Sequence, residues 1–370
     1  MTKRELSKFF LPGPTDIHPD VAAAMLRPMM SHRSPEFRTL FARLQAGLQP
    51  FFATTQPVLL VPASATAMME MAIRAAPPGR ILALVNGAFS SRFADVARAC
   101  GRDVDLQEVP LGRAIDLDDV ERTLARTAFA AVTVCHCETS SGVMTDVRRV
   151  AELAHRHGAL ALIDGVTSVG GAECPTDAWS LDFVFVGSQK TLALPPGLAL
   201  GVATPALVEF ARANPGRGRY LDLDEYIEFA KKSEPPNTPA LALLHALDAQ
   251  LERVAREGMP ARIARHAAMA AAVHAWVDRN RKDGVNVGVL APEGHRSPTV
   301  SVLTMPEGVN ATQVLRGMTE RGYTLGAGFG ALVKSAVRVG HMGDHSVESV
   351  NGCLSVLGEV VRAAALTPTN

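Results

Sequence analysis

An α/β fold, with a mostly parallel central sheet, helices on both faces and a smaller C-terminal α+β domain, is predicted by three features of the 370-residue chain. Short apolar runs alternate with helical patterns from Val58 to Thr204, several of those runs stop on residues able to do chemistry, and after Gly258 the pattern changes to a long helix followed by shorter strand candidates. Apolar runs that end in turn signals and alternate with helices are the mark of buried parallel strands joined by crossovers.

The elements follow in order. PVLLVP is a strand, TAMMEMAIRAA a helix, RILALVN a strand and SSRFADVARAC a helix. AFAAVTVCH, VRRVAELAHRHG and ALALIDG then give strand, helix and strand, and DFVFVGS and LALGVAT are two further strands. The polar, proline-containing stretch Gly216 to Ala240 leads into a long helical pattern, LALLHALDAQLERVAREG, that stops at Gly258. Beyond it PARIARHAAMAAAVHAWVDRN is helical, SPTVSVLTM and SAVRVGH are strands, and TQVLRGMTERG is the helix between them. The expected division is an N-terminal segment over 1–20, a large domain over 21–257 and a small domain over 258–370.

In open α/β sheets ligands sit outside the carboxyl ends of the strands. There, ALALIDG ends on Asp164, and Lys190 follows DFVFVGS 26 positions later, just before a Pro-Pro-Gly turn. A lysine at the dry end of a strand can lose its proton and attack an aldehyde, while a carboxylate can keep a pyridine nitrogen protonated. That is the chemistry pyridoxal phosphate (PLP) requires, although a loop lysine and an ordinary strand-end aspartate would look the same. Ser64, Ala65 and Thr66 fall where a strand gives way to a helix, a place that suits either a phosphate or a simple N-cap. Phe89, after Asn86-Gly87-Ala88, could lie on a ring or fill the core. Thr139 sits in the polar loop HCETSSG, where its hydroxyl can reach a ligand. Arg338, in AVRVGHMGDH, has the planar fork that grips a carboxylate, or it forms a surface ion pair.

Lysine plus arginine equals aspartate plus glutamate at 37 each, so net charge gives no argument for nucleic acid or an anionic membrane as partner. No apolar stretch has the length of a spanning helix, and the start of the chain lacks a signal-peptide core. Five cysteines, Cys100, Cys135, Cys137, Cys174 and Cys353, make no even framework and no Cys-x-x-Cys clip, which fits reduced thiols and a cytoplasmic location. In the cluster Cys135, Cys137, His136, His155 and His157 the two cysteines would share a strand face but His155 and His157, near a helix end, do not share one, and the group His341, Asp344 and His345 suits a loop better than a ligand set, so no metal is expected.

Taken together these residues resemble the class V aminotransferases, fold type I PLP enzymes related to alanine:glyoxylate and serine:glyoxylate aminotransferases. The likeness runs from Pro12-Gly13-Pro14 and SHRSPEF through HCETSSG, DGVTSVGG, GSQK and PPNTPA to RVGHMGDH. It implies that Lys190 is the Schiff-base lysine and Asp164 the partner of the pyridine nitrogen, with Phe89 on one ring face, Val166 on the other and Thr139 at the ring hydroxyl. By the same resemblance Ser64, Ala65, Thr66 and Gln189 form the phosphate cup, Thr238 reaches in from a second subunit of a homodimer, and Arg338 holds the substrate α-carboxylate. The chain departs from its relatives at Ala63 and Ala65, where glycines are common, at Phe89, where a larger aromatic is common, and at Pro235 and Pro236, where a tyrosine is usual. The implied reaction is ping-pong amino transfer from a small amino acid, alanine or serine, to a 2-oxo acid such as glyoxylate or pyruvate. The alternative is a PLP-dependent lyase, β-lyase or desulfurase-like, although Gln189 stands where a desulfurase has histidine before the lysine. A nicotinamide-dependent oxidoreductase is disfavoured because no G-x-G-x-x-G follows the first strand, and a PLP-binding regulator because no DNA-binding module is evident.

Overall fold

The computed structural model describes residues 8–366. Its centre is a seven-stranded sheet ordered Leu59–Val61, Ala199–Ala203, Phe183–Gly187, Leu160–Asp164, Ala131–Cys135, Ile81–Val85 and Val104–Glu108. Ala199–Ala203 runs antiparallel to both neighbours, and the remaining pairs are parallel. Apolar runs occupy these strands, the edge strand Val104–Glu108 excepted, because both faces are covered. Leu82, Leu84, Val132, Val134, Ile163, Val184 and Val186 face one core, packed by the helices Pro35–Phe52, Val147–Arg156 and Leu241–Glu257. Their neighbours Ile81, Ala131, Leu162, Phe183 and Phe185 face a second core, packed by Ala65–Ala75, Ala88–Ala99, Pro205–Ala213 and Leu223–Ala230. The period of two along each strand separates the two sets.

Helix starts follow from local chemistry. Asp146 accepts from the amide of Arg149 to open Val147–Arg156, and Thr204, followed by Pro205, caps Pro205–Ala213 through the amide of Leu207. Gly258 separates the helices Leu241–Glu257 and Met259–Lys282.

A second sheet has five strands in the order Phe9–Phe10, Thr324–Ala327, Ala336–Gly340, Val300–Thr304 and Gly288–Val289. One face carries Met259–Lys282, Ala311–Glu320 and Val347–Ala365, whose Met269, Trp276, Val314, Leu354 and Leu357 pack on Leu303, Val337 and Val339. Since Val337 and Val339 face that core, Arg338 between them is turned to the opposite face, toward the large sheet. Phe9–Phe10 is the only parallel addition to this sheet among the described residues. The chain then runs from Phe10 across to the large sheet, where the amide of Thr15 donates to the Gln189 carbonyl at 3.0 Å. No described helix is long and apolar enough to cross a membrane.

Candidate active site

The carboxyl ends of the parallel strands form one rim. Cys135 is level with Asp164, Asp164 with Phe185, and Gly187 with Ala199, which in turn faces Val61. The residues that follow these strands, Ser64, Phe89, Thr139, Val166, Gln189 and Lys190, therefore all leave the sheet on the same side.

Asp164 is buried. One carboxylate oxygen accepts from the amide of Val166 at 2.9 Å, and the thiol of Cys135 donates to the other at 3.6 Å. Burial pushes its pKa up to about 6; the Val166 amide opposes the rise and the charge of Glu138 adds to it. Lys190 is buried too, and its ammonium group is pushed down to about 8 by burial, with the Arg338 charge acting in the same direction and Asp164 against it. Its Nζ donates to the Pro12 carbonyl and lies 5.9 Å from the centre of the Phe89 ring. Gly13 makes this approach possible: its φ is +98°, and a Cβ there would stand 2.5 Å from Lys190 Cδ and Nζ.

Phe89 is held by Glu138, a residue the polar HCETSSG loop contains but to which sequence reasoning gave no role. Glu138 is fully buried and accepts from the amides of Phe89, Ser90 and Ser140 at 3.1, 2.9 and 3.0 Å, and from the hydroxyls of Ser90 and Ser140 at 3.0 and 2.6 Å. The carboxylate thereby satisfies the first turn of Ala88–Ala99, where both free amides and the helix dipole favour negative charge. Gly87 leaves room for it, because a Cβ would stand 2.3 Å from Ser140 Oγ and 2.5 Å from Glu138 Cγ. The Phe89 ring is only half-buried, so it is available as a stacking face rather than spent on the core.

The Thr139 hydroxyl pairs with that of Thr167 at 3.1 Å, and Thr167 donates in turn to the Cys137 carbonyl at 2.9 Å. Arg338 Nε donates to the Ala327 carbonyl at 2.7 Å and one terminal nitrogen donates to the Thr139 carbonyl at 3.4 Å, leaving the other terminal nitrogen with no hydrogen-bond partner among the described residues. No ion pair engages Arg338 among the described residues, and burial lowers its pKa. Ser64 precedes the helix Ala65–Ala75 but makes no side-chain cap bond among the described residues, so the N-cap explanation fails for it and the amides of Ala65 and Thr66 are open to a ligand. Val166 and Gln189 are half-buried at the rim. Thr238 stands apart, exposed on the segment before Leu241–Glu257, and no hydrogen bond joins it to the rim among the described residues.

His341 bonds to Ser301 and the Pro298 carbonyl, His345 to the Phe9 carbonyl, and Asp344 to Gln250 and Arg253; these side chains tie elements together. Among the described residues no group of three or more His, Cys, Asp or Glu is placed to hold a metal ion.

The donor set fits a phosphorylated pyridine aldehyde. An uncapped helix N-terminus can take the phosphate, a buried carboxylate the ring nitrogen, a half-buried aromatic the ring face, and an amine with a pKa near 8 the aldehyde. Buried Asn86 Nδ2 and Ser141 Oγ, at the same rim, have no hydrogen-bond partner among the described residues.

Residues 15–344 match the aminotransferase class-V family model. The chain is 33% identical over 344 residues to the L-aspartate–glyoxylate aminotransferase of Paracoccus denitrificans, covering 90% of this chain and 86% of that one. It is 30% identical to the serine–glyoxylate aminotransferase of Arabidopsis thaliana over 94% of this chain and 88% of the relative. The crystal structure of an alanine–glyoxylate aminotransferase from Nostoc sp. superposes with a TM-score of 0.89 at 29% identity, covering 97% and 96% of the two chains. Rim geometry, family model and relatives agree: the chain belongs to the class V aminotransferases and is a PLP-dependent transaminase.

Proposed function

We propose that the protein moves the amino group of a small amino acid, alanine or serine, to a 2-oxo acid such as glyoxylate or pyruvate by a ping-pong mechanism. The observation that carries this reading is the buried Lys190 amine, poised near neutrality beside a buried Asp164 and a half-exposed Phe89 ring. Glyoxylate appears in the names of the relatives, and aspartate in one of them, so aspartate joins the donors to be tested. The lyase alternative gains no support from those names.

Pyridoxal phosphate, when bound, supplies an electrophilic carbon and a ring that takes up the electrons released at the substrate Cα. Asp164 would keep the ring nitrogen protonated, its carboxylate oriented by the Val166 amide and the Cys135 thiol. Phe89 and Val166 would hold the ring, and Thr139 would serve its hydroxyl. The amides and hydroxyls at Ser64, Ala65 and Thr66, with Gln189, bind the phosphate, and Thr238 completes the cup from a partner subunit. Arg338 fixes the substrate carboxylate with its free nitrogen, which places the Cα–H toward Lys190. Lys190 Nζ, an amine whose pKa burial brings to about 8, would be the base that accepts and holds that proton.

A homodimer with sites at its interface is part of this proposal. Leu26 is 86% exposed, and Met29, 71% exposed, lines with Met30, Leu40 and His245 a cavity of about 730 Å³, an apolar surface of the kind subunits cover. The large domain is taken as 21–257 and the small domain as 258–370, a division supported by the separate cores of the two sheets. Five free thiols support a cytoplasmic location.

Lys190→Ala is the test. Turnover and the visible absorbance of lysine-bound cofactor should both vanish; a variant that still transaminates at the wild-type rate ends the assignment. Alanine, serine and aspartate, each assayed against glyoxylate, pyruvate and 2-oxoglutarate, identify the substrates, and keto-acid-independent release of ammonia or sulfide would point to the lyase instead.

A further inference from the structure

The Phe329 ring lies 5.9 Å from that of Phe89, centre to centre, and 5.1 Å from the guanidinium carbon of Arg338. Phe89 in turn has the Lys190 amine 5.9 Å from its own centre. One aromatic side chain thus borders both the ring that stacks on the cofactor and the cation that takes the substrate carboxylate. Phe329 is half-buried, at the inner end of a loop whose residues 330, 331 and 333–335 are exposed. The strand that leads into this loop supplies, at its last residue, the Ala327 carbonyl that fixes Arg338 Nε. Sequence reading gave the segment no role, because a single aromatic between glycines carries no pattern.

From this placement we infer that Phe329 is the specificity-determining wall of the substrate pocket and restricts the enzyme to amino and oxo acids with short side chains. The inference rests on the carboxylate role of Arg338 and the stacking role of Phe89. With the carboxylate on Arg338 and Cα toward Lys190, the space for a substrate side chain is bounded by the Phe329 ring. The ring also covers one face of the guanidinium through a cation–π contact, which leaves the edge of the fork for a carboxylate. A rigid apolar wall rejects extra methylenes by crowding, an effect of about tenfold or more in rate per misplaced group.

The experiment compares wild type with Phe329→Ala and Phe329→Leu as holoenzymes. The readouts are kcat/KM for alanine, 2-aminobutyrate, norvaline and norleucine with glyoxylate, and calorimetric binding of acetate, butyrate and hexanoate. Phe329→Ala should raise the norleucine-to-alanine ratio at least tenfold and tighten hexanoate relative to acetate by a similar factor, with Phe329→Leu intermediate. If the ratios in both variants stay within twofold of wild type, the inference is wrong. Should Phe329→Ala lose its cofactor absorbance, Phe329→Leu alone decides, with a threefold rise supporting the inference and none overturning it. Failure of the parent reading is separate: wild type itself would then show no amino transfer and no lysine-bound absorbance.

Discussion

Replacing Asp164 by asparagine in the cofactor-free protein should make the fold more stable at pH 8, by an amount set by burial. The carboxyl is raised from 3.8 to about 6, chiefly because it is buried, and a difference of this size corresponds to about 3 kcal/mol. Below pH 3.8 the group is protonated in folded and unfolded chains alike and contributes no difference. As pH rises from 3.8 to about 6 the unfolded chain releases its proton first, so folding stability declines across that window and the loss is complete above it. Asparagine carries no charge to bury and still offers an oxygen to the Val166 amide, so it escapes the decline. Urea unfolding of both cofactor-free proteins at one protein concentration, at steps from pH 4.5 to pH 8, should show the variant gaining on wild type to about 3 kcal/mol. With PLP bound the order should reverse, because the ionised carboxylate then has the pyridinium as its partner. A variant that is no more stable than wild type at pH 8, or whose advantage is the same at every pH, refutes the electrostatic account of this site.

Glu138→Ala removes the acceptor of five donors from a buried place and should cost about 3 to 5 kcal/mol of stability; thermal unfolding measures this, and a loss under 1 kcal/mol contradicts it. Gly13→Ala puts a methyl group against the Lys190 side chain at a φ that disfavours alanine, so cofactor attachment, followed by visible absorbance, should weaken at least tenfold. Arg338→Lys keeps the charge but loses the fork, and kcat/KM should fall about a hundredfold, mostly through KM. Covalent capture of PLP by the apoenzyme should speed up as the Lys190 amine deprotonates and level off above about pH 8; a rate still climbing at pH 10 would mean that the lysine is not desolvated.

The strands that carry the site were legible because burial on both faces turns them into uninterrupted apolar runs. Val104–Glu108 had no such run: it lies at the sheet edge with mixed exposure, so its sequence alternates and did not stand out. Leu223–Ala230 lay hidden in a polar, charged stretch, and Phe9–Phe10 is too short to show a period. At the site, Asp164 and Lys190 could be named because the first ends such a strand and the second follows one. Glu138 could not, since its role depends on a helix start 48 residues away in the chain. The Ser64 hydroxyl illustrates the reverse case: local rules make it a cap, and the fold leaves it open.

The carbonyl of Pro12 that meets Lys190 belongs to a stretch whose earlier residues, Phe9 and Phe10, pair with Thr324 and Leu325. During synthesis Phe9 and Phe10 leave the ribosome long before their partners exist. A nascent chain can build the seven-stranded sheet, whose last strand ends at Ala203, while the strap over the lysine still waits for more than a hundred further residues. The platform that carries the lysine and the cover laid over it are therefore joined only once Thr324 and Leu325 have been made.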